Sequence, residues 1–563
     1  MPRSPGASSG RGRTAETLPD VDAVIIGAGF GGLYAHWRLR QQGLRLQGFE
    51  AAAGVGGTWW WNAYPGARCD VESLDYCYSF CDELLAQWQW TERFATQPEI
   101  LRYANHVADR FDLRRDIAFD TRIIACRFDE AASRWALETD TGKRISARFV
   151  IAATGCLSAP ILPDIPGIET FAGPIHRTSA WPHDGVALAG KRIGIIGTGS
   201  SGIQAIPVIA GQAAHLTVFQ RTPNFSLPAK NGPVPDEKLA LIGPDYSAYA
   251  RANKQTPAGY HVAMPGGLPE IWTPGRSALD ATQEEREAIW NALWDAGGTG
   301  FTGSYTDLTT NPDANRLVAQ FVHARIREIV EDPAVAEKLC PTDHPFASKR
   351  LCLDTGYFDT FNRPNVTLVD ISATPIERIT TGAVEAGGQS HPIDLLVLAT
   401  GFDAVTGPLL RMNVTGVGGL SLGEAWADGP HTQLGLMVAG FPNLFAVTGP
   451  GSPSVLTNMI PSIEQHVDWI ADCIAYMAAR GLERIEPTRE AQAAWDHEVE
   501  QAASHSLFLK ADSWYMGANV PGKPRAILPY MGGLANYAER CGQVASGGYT
   551  GFAFAGAPAQ AGA

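Results

Sequence analysis

One device occurs twice in this chain, and it limits the possible folds more than any other feature. "DAVIIGAGFGG" and "KRIGIIGTGSSG" are each a short apolar, β-branched run that stops at a glycine loop. The loops place Gly27, Gly29 and Gly32, then Gly197, Gly199 and Gly202, at Gly-x-Gly-x-x-Gly spacing ahead of helix-like segments, the second opening at Ser200. Such a loop between strand and helix allows a tight turn and brings a pyrophosphate close to backbone N–H groups at the positive end of the helix dipole. One copy is a weak signal. Two copies predict an α/β protein with two doubly wound, Rossmann-like dinucleotide-binding domains.

The residues ending the second strand of each unit separate the two ligands. "LRLQGFE" ends at Glu50, 23 positions after Gly27, where a carboxylate can accept hydrogen bonds from a ribose diol. "AHLTVFQRT" instead offers Gln220, Arg221 and Thr222, with no acid. An acid there would repel a 2′-phosphate, whereas arginine can clamp one. The first unit therefore predicts FAD and the second NADPH; the plain alternative for Arg221 is a solvated surface charge.

Two more apolar strands stop at Thr-Gly, at Thr154–Gly155 and Thr400–Gly401, as expected where a chain passes between dinucleotide domains. The expected organisation is a disordered tail over 1–19, an FAD domain over 20–157 and 391–541, and an NADPH domain over 158–230 and 340–390. A helical insertion is expected over 231–339, and a C-terminal tail over 542–563. "TQEEREAIWNALWDA" and "NRLVAQFVHARIREIV" supply the helical spacing in the insertion.

Composition narrows the partners. The net charge of −14, with no basic block, disfavours nucleic acid and anionic membrane. No run of 18 apolar residues suggests a membrane span. Nine scattered cysteines without paired spacing fit a reducing cytoplasm and argue against both a disulfide framework and a zinc site. The oligomeric state is not legible.

"GGTWWWNAYPGARCD", Gly56 to Asp70, meets every fixed position of a fingerprint of type I Baeyer–Villiger monooxygenases. "HPFASKRLCLDTGYFDTFNRPNVTLVD", "TGPGSPSVLTNM" and "SWYMGANVPGKPR" also resemble that family, near its phenylacetone, cyclohexanone and steroid branches, and the likeness spans roughly residues 20 to 541. The resemblance implies an FAD-containing enzyme that uses NADPH and O2 to insert one oxygen beside a ketone carbonyl, by way of a flavin peroxide, giving an ester or lactone. It implies Arg350 as the catalytic arginine and Asp70 as the carboxylate that orients it. Thr58, Trp59 and Asp70 would lie against FAD, Lys349 and Arg221 against the NADPH phosphate, and Trp514 over the nicotinamide. Ser454, Val455, Leu456 and Met459 would line the substrate pocket. Read alone, Lys349 and Arg350 are a solvated pair, Asp70 is a turn residue, and Trp514 is core.

The chain departs from the family in "FAGPIHRTSAWP". Phe171, Gly173, Trp181 and Pro182 fit a second fingerprint, but the histidine position holds Arg177, with His176 one residue early. Its place between the two cofactor units predicts a connector in which Arg177 donates hydrogen bonds. An N- or S-oxygenase and an uncoupled NADPH oxidase are the rival activities.

Overall fold

The computed structural model describes residues 17–261 and 274–556. The expected N-terminal tail lies outside the described residues up to position 16, and Thr17 and Leu18 already join the first sheet at Arg144.

The first glycine unit builds an eight-stranded sheet. Its parallel heart is Arg144–Ala152, Val21–Ile26 and Leu46–Phe49, with Leu444–Ala446 added parallel to Arg144–Ala152. An antiparallel meander through Ile123–Asp129 and Arg134–Thr139 extends it, and the short strands Ile117–Ala118 and Val414–Thr415 form its edges. Val24 and Ile25 are fully buried, as a strand covered on both faces requires. The second unit builds a wholly parallel five-stranded sheet in the order Val366–Asp370, His215–Gln220, Arg192–Ile196, Leu395–Leu398, Ile175–Arg177.

Two expected boundaries move. Leu395–Leu398 pairs with Arg192–Ile196 and Ile175–Arg177, so the second sheet extends past position 390 and the chain leaves it at Thr400. The C-terminal tail is no tail over its first part. The helix Leu534–Ser546 runs through its start, and Phe552–Gly556 pairs antiparallel with Leu482–Pro487.

The two crossings between sheets run side by side. Ile161 donates to the Gly401 carbonyl, Asp403 to Ala159 and Val405 to Cys156, at 2.8–3.0 Å. Both Thr-Gly turns thus open one two-stranded junction. The described part of the segment 231–339 is largely helical, with Asp236–Ile242, Tyr246–Ala252, Gln283–Ala296, Pro312–Ile329 and Pro333–Leu339. Gln283–Ala296 starts at a capping box between Thr282 and Glu285, which satisfies otherwise orphaned N–H groups. Among the described residues no helix is long and apolar enough to cross a membrane.

Candidate active site

The two glycine loops have the same geometry. Gly27 and Gly197 adopt φ of +105° and +109°, a conformation that L side chains rarely adopt. Neither Gly29 nor Gly199 has a side chain to cap the helix behind it, so the first N–H groups remain available to an anion. A Cβ at Gly199 would meet nothing within 4 Å, which leaves room for a phosphate at Ser200.

The tips differ. Glu50 is buried, and its carboxylate accepts the N–H groups of Ala28 at 2.6 Å and Ala52 at 2.8 Å. Burial raises its pKa against the effect of those bonds. Arg221 is exposed and, among the described residues, has no hydrogen-bond or ion-pair partner. Among the same residues Lys349 has one carboxylate neighbour, Asp343, at 3.6 Å. The Thr222 carbonyl accepts the Thr198 hydroxyl at 2.9 Å, tying this tip to the second loop.

The fingerprint segment joins the two units. Thr58 and Trp59 open the short helix Thr58–Trp61; Thr58 is exposed, and the buried Trp59 indole donates to the Tyr76 hydroxyl at 3.1 Å. Farther on, Gln204 of the second unit's helix accepts the Tyr64 hydroxyl at 2.8 Å and donates to the Arg68 carbonyl at 3.0 Å. A Cβ at Gly66 would lie 2.3 Å from the Gln204 carbonyl oxygen, which explains a glycine at that fingerprint position. Gln204 carries no sequence signal beyond its place in the helix.

Arg350 and Asp70 come together from 280 positions apart. The guanidinium donates to both carboxylate oxygens, Nε to Oδ2 at 2.9 Å and Nη2 to Oδ1 at 2.6 Å, and Nη1 donates to the Val455 carbonyl at 2.8 Å. Two parallel bonds fix the plane of the group as well as its position. Removal from water works to lower the Arg350 pKa, but the Asp70 charge outweighs it and holds the guanidinium well above its ordinary value. With 30% of the Arg350 side chain still exposed, the cation is anchored yet reachable. The parallel pair Ser226–Pro228 and Cys352–Asp354 sets the chain just behind it.

Val455, β-branched, sits at φ +68°, a strained conformation of the kind that clusters at functional sites. Its N–H reaches the Met459 sulfur at 3.2 Å. Ser454 is buried against Ser452, and Leu456 packs in one apolar cluster with Val455, Met459, Trp514 and Tyr515. Trp514 stacks obliquely on Tyr515, centroids 4.1 Å apart. Tyr515 was not legible as a site residue, yet it is buried, and the charge of Arg350 partly offsets the rise that burial imposes on its pKa. Cys156 lies in the same cluster with its thiol pushed up to about 11 by burial, so it is no nucleophile near neutrality. A separate groove of about 800 Å³ opens between the helix Gln97–Arg110 and residues Trp181 to Leu188; none of the Arg350 constellation lines it.

The comparisons with known proteins identify the family. Residues 21–234 match the pyridine nucleotide-disulphide oxidoreductase family. A Baeyer-Villiger monooxygenase of Pseudooceanicola batsensis is 44% identical over 94% of this chain and 96% of its own length. The phenazine N-monooxygenase PhzNO1 of Lysobacter antibioticus is 41% identical over 94% and 96%. A solved oxidised steroid monooxygenase bound to NADP superposes with TM-score 0.88 at 49% identity, covering 95% of this chain and 99% of that one. OTEMO in complex with FAD and NADP gives 0.89 at 40% identity over 95% and 100%.

The chain belongs to the Baeyer–Villiger monooxygenases. It is an FAD- and NADPH-dependent oxidoreductase. The donor set suits both cofactors: uncapped helix starts for two pyrophosphates, a buried carboxylate at one tip and an unpaired arginine at the other.

The connector differs from expectation. Arg177 ends the edge strand Ile175–Arg177 opposite Leu398, and its side chain makes no hydrogen bond or ion pair with the described residues. The bridge to the fingerprint is made instead by the Trp181 N–H to the Trp61 carbonyl at 3.3 Å and by His183 against the Trp60 ring, centroids 4.3 Å apart.

Proposed function

We propose that Arg350, held by Asp70, is the cation on which oxygen insertion into a small, largely apolar ketone depends. FAD would lie along Gly27, Gly29, Gly32 and Glu50, with Thr58, Trp59 and Asp70 beside it. NADPH would lie along Gly197, Gly199, Ser200 and Gly202, its 2′-phosphate taken by Arg221, Thr222 and Lys349 and its nicotinamide end covered by Trp514. When bound, FAD reduced by NADPH would activate O2, one atom of which would become the new ester or lactone oxygen while the other leaves as water. Arg350 stabilises negative charge as it develops at the reacting oxygens, and Asp70 keeps the cation from turning away. Val455, Leu456 and Met459 would exclude water and hold the carbon skeleton, with Ser454 fixing the loop.

The observation that carries this reading is the bidentate Asp70 grip on a guanidinium that remains partly open. Removing one preorganised charge-stabilising donor costs about 10² to 10³ in rate. Arg350→Ala should therefore retain FAD and lose ester formation by at least that factor, measured by product analysis with a ketone panel. Near-native ester yield would overturn the assignment. The likeness to a phenazine N-monooxygenase supports N-oxygenation as a second reading; nitrogen heteroaromatics run beside the ketones decide it by which product forms. A reducing cytoplasm is the proposed location, supported by nine unpaired thiols, all buried except Cys81.

A further inference from the structure

The helix Asp236–Ile242 is inside out. Lys238 is 1% exposed while Leu239 and Leu241 are 50% and 43% exposed, the reverse of an amphipathic surface helix. Charge pairing, not apolar burial, therefore holds this part of the insertion on the molecule. The Lys238 ammonium donates to Asp75 and to the Tyr249 hydroxyl at 2.9 Å and lies 3.1 Å from Glu72. Tyr249 and Asn253 also donate to Asp75, at 2.9 and 3.0 Å, and Arg93 takes the other Glu72 oxygen at 2.7 Å. A second lysine of the same segment, Lys254, reaches the buried Glu464 at 2.9 Å.

Two arms lead from this cluster to Arg350. Asp70, Glu72 and Asp75 lie on one short segment, and Asp70 grips the guanidinium from one side. The Asp75 carbonyl accepts Asn458 Nδ2 at 2.7 Å, and the Asn458 N–H donates to Ala258 of the insertion at 2.8 Å. Asn458 stands three positions beyond Val455, whose carbonyl holds Arg350 from the other side.

We propose that residues 236–261 form a two-lysine latch and that Lys238 is a positioning residue that keeps both arms on Arg350 in register. Removing one partner of a buried ion pair strands the other charge and is strongly unfavourable. Without Lys238, Asp75 would be left as a buried acid with no cation, beside a Glu72 that keeps only Arg93; the segment would move toward water, and Asp70 would move with it. The inference rests on the assignment of Arg350 above.

The test compares the FAD-loaded wild type with Lys238→Arg, Lys238→Met and Lys238→Met/Asp75→Asn. Ester and hydrogen peroxide formed per NADPH consumed are measured, together with amide exchange over residues 70–78 and 454–460 in FAD-free and FAD-loaded protein. In Lys238→Met the ester yield per NADPH should fall by roughly tenfold or more, because a displacement on the order of 1 Å from a remote change can cost about a hundredfold. Peroxide should take up the balance, the KM for NADPH should hold, and exchange should rise in both segments. Lys238→Arg, and the double variant that removes both charges, should recover coupling. Wild-type coupling in Lys238→Met overturns the inference, as does a lowered melting temperature with coupling and exchange at 454–460 unchanged. If Lys238→Met does not fold, Asp75→Asn alone is measured the same way, and wild-type coupling there overturns it too. Ester formation surviving in Arg350→Ala would instead remove the assignment of Arg350 beneath it.

Discussion

The two glycine loops share spacing, φ angles and uncapped helix starts, yet their surroundings differ. A Cβ at Gly29 would lie 3.3 Å from the Gly57 Cα, so the fingerprint segment closes directly over the first loop, whereas Gly199 faces open space. At the first tip Glu50 is buried and held by two backbone donors; at the second, Arg221 is exposed and unpaired. A site walled by its own chain and preorganised by its own hydrogen bonds suits a cofactor that stays. An open site with a free cation suits one that arrives and leaves with each turnover. On the proposed assignment, the strand tip selects the cofactor and what covers the loop sets how long it stays.

The largest effect is expected where the first loop packs on itself. A Cβ at Gly32 would sit 1.8 Å from the Gly27 carbonyl oxygen, a backbone clash that no rotamer can relieve; overpacking costs about 1–3 kcal/mol and sometimes more. Gly32→Ala should be recovered without flavin or not at all, read from the flavin absorbance per protein. Full flavin content in this variant would show that the loop is not close-packed as described.

Arg221→Ala tests the second tip. Losing a charge-assisted bond to the 2′-phosphate costs about 1.5–3 kcal/mol, so the KM for NADPH should rise about ten- to a hundredfold while that for NADH barely moves. Equal shifts for both cofactors would place Arg221 away from the 2′-phosphate. Gly199→Ala is milder. Its Cβ meets nothing in the protein, so the melting temperature should hold while NADPH binding weakens, and flavin content should match the wild type. A drop in melting temperature would remove the contrast with Gly32.

The loops were legible because their information is local: strand, glycines, helix and tip lie within 30 residues, Val21 to Glu50 and Arg192 to Arg221. Arg350 and Asp70 were legible only through their fingerprints, since nothing local tells a turn aspartate from one that meets an arginine 280 positions away. Leu395–Leu398 was placed with the wrong sheet because a buried parallel strand carries no mark of its neighbours. "YTGFAFAG" was passed over at the C-terminus because its partner, Leu482–Pro487, is distant in sequence. Lys238 was invisible for the opposite reason. "DEKLALI" looks like an ordinary exposed turn of helix, and only the fold shows that its lysine points inward, to an acid 163 positions away.

The smallest effect is expected at Arg177, where the chain departs from its family. If that side chain held the two units in place, replacing it with histidine would restore the family's residue and change how well NADPH use couples to ester formation. Among the described residues its side chain has no partner to lose, and the contact between connector and fingerprint runs through Trp181, 5% exposed, and His183. Arg177 is half-buried, and surface substitutions away from such contacts typically change stability by within about 0.5 kcal/mol, which corresponds to little more than a twofold effect. Arg177→His should therefore leave ester per NADPH, the melting temperature and both KM values close to the wild type. Trp181→Ala should lower coupling and stability together, since truncating a buried aromatic costs about 3–5 kcal/mol. A large gain in ester yield from Arg177→His, with Trp181→Ala near neutral, would mean that the connector works through position 177 after all.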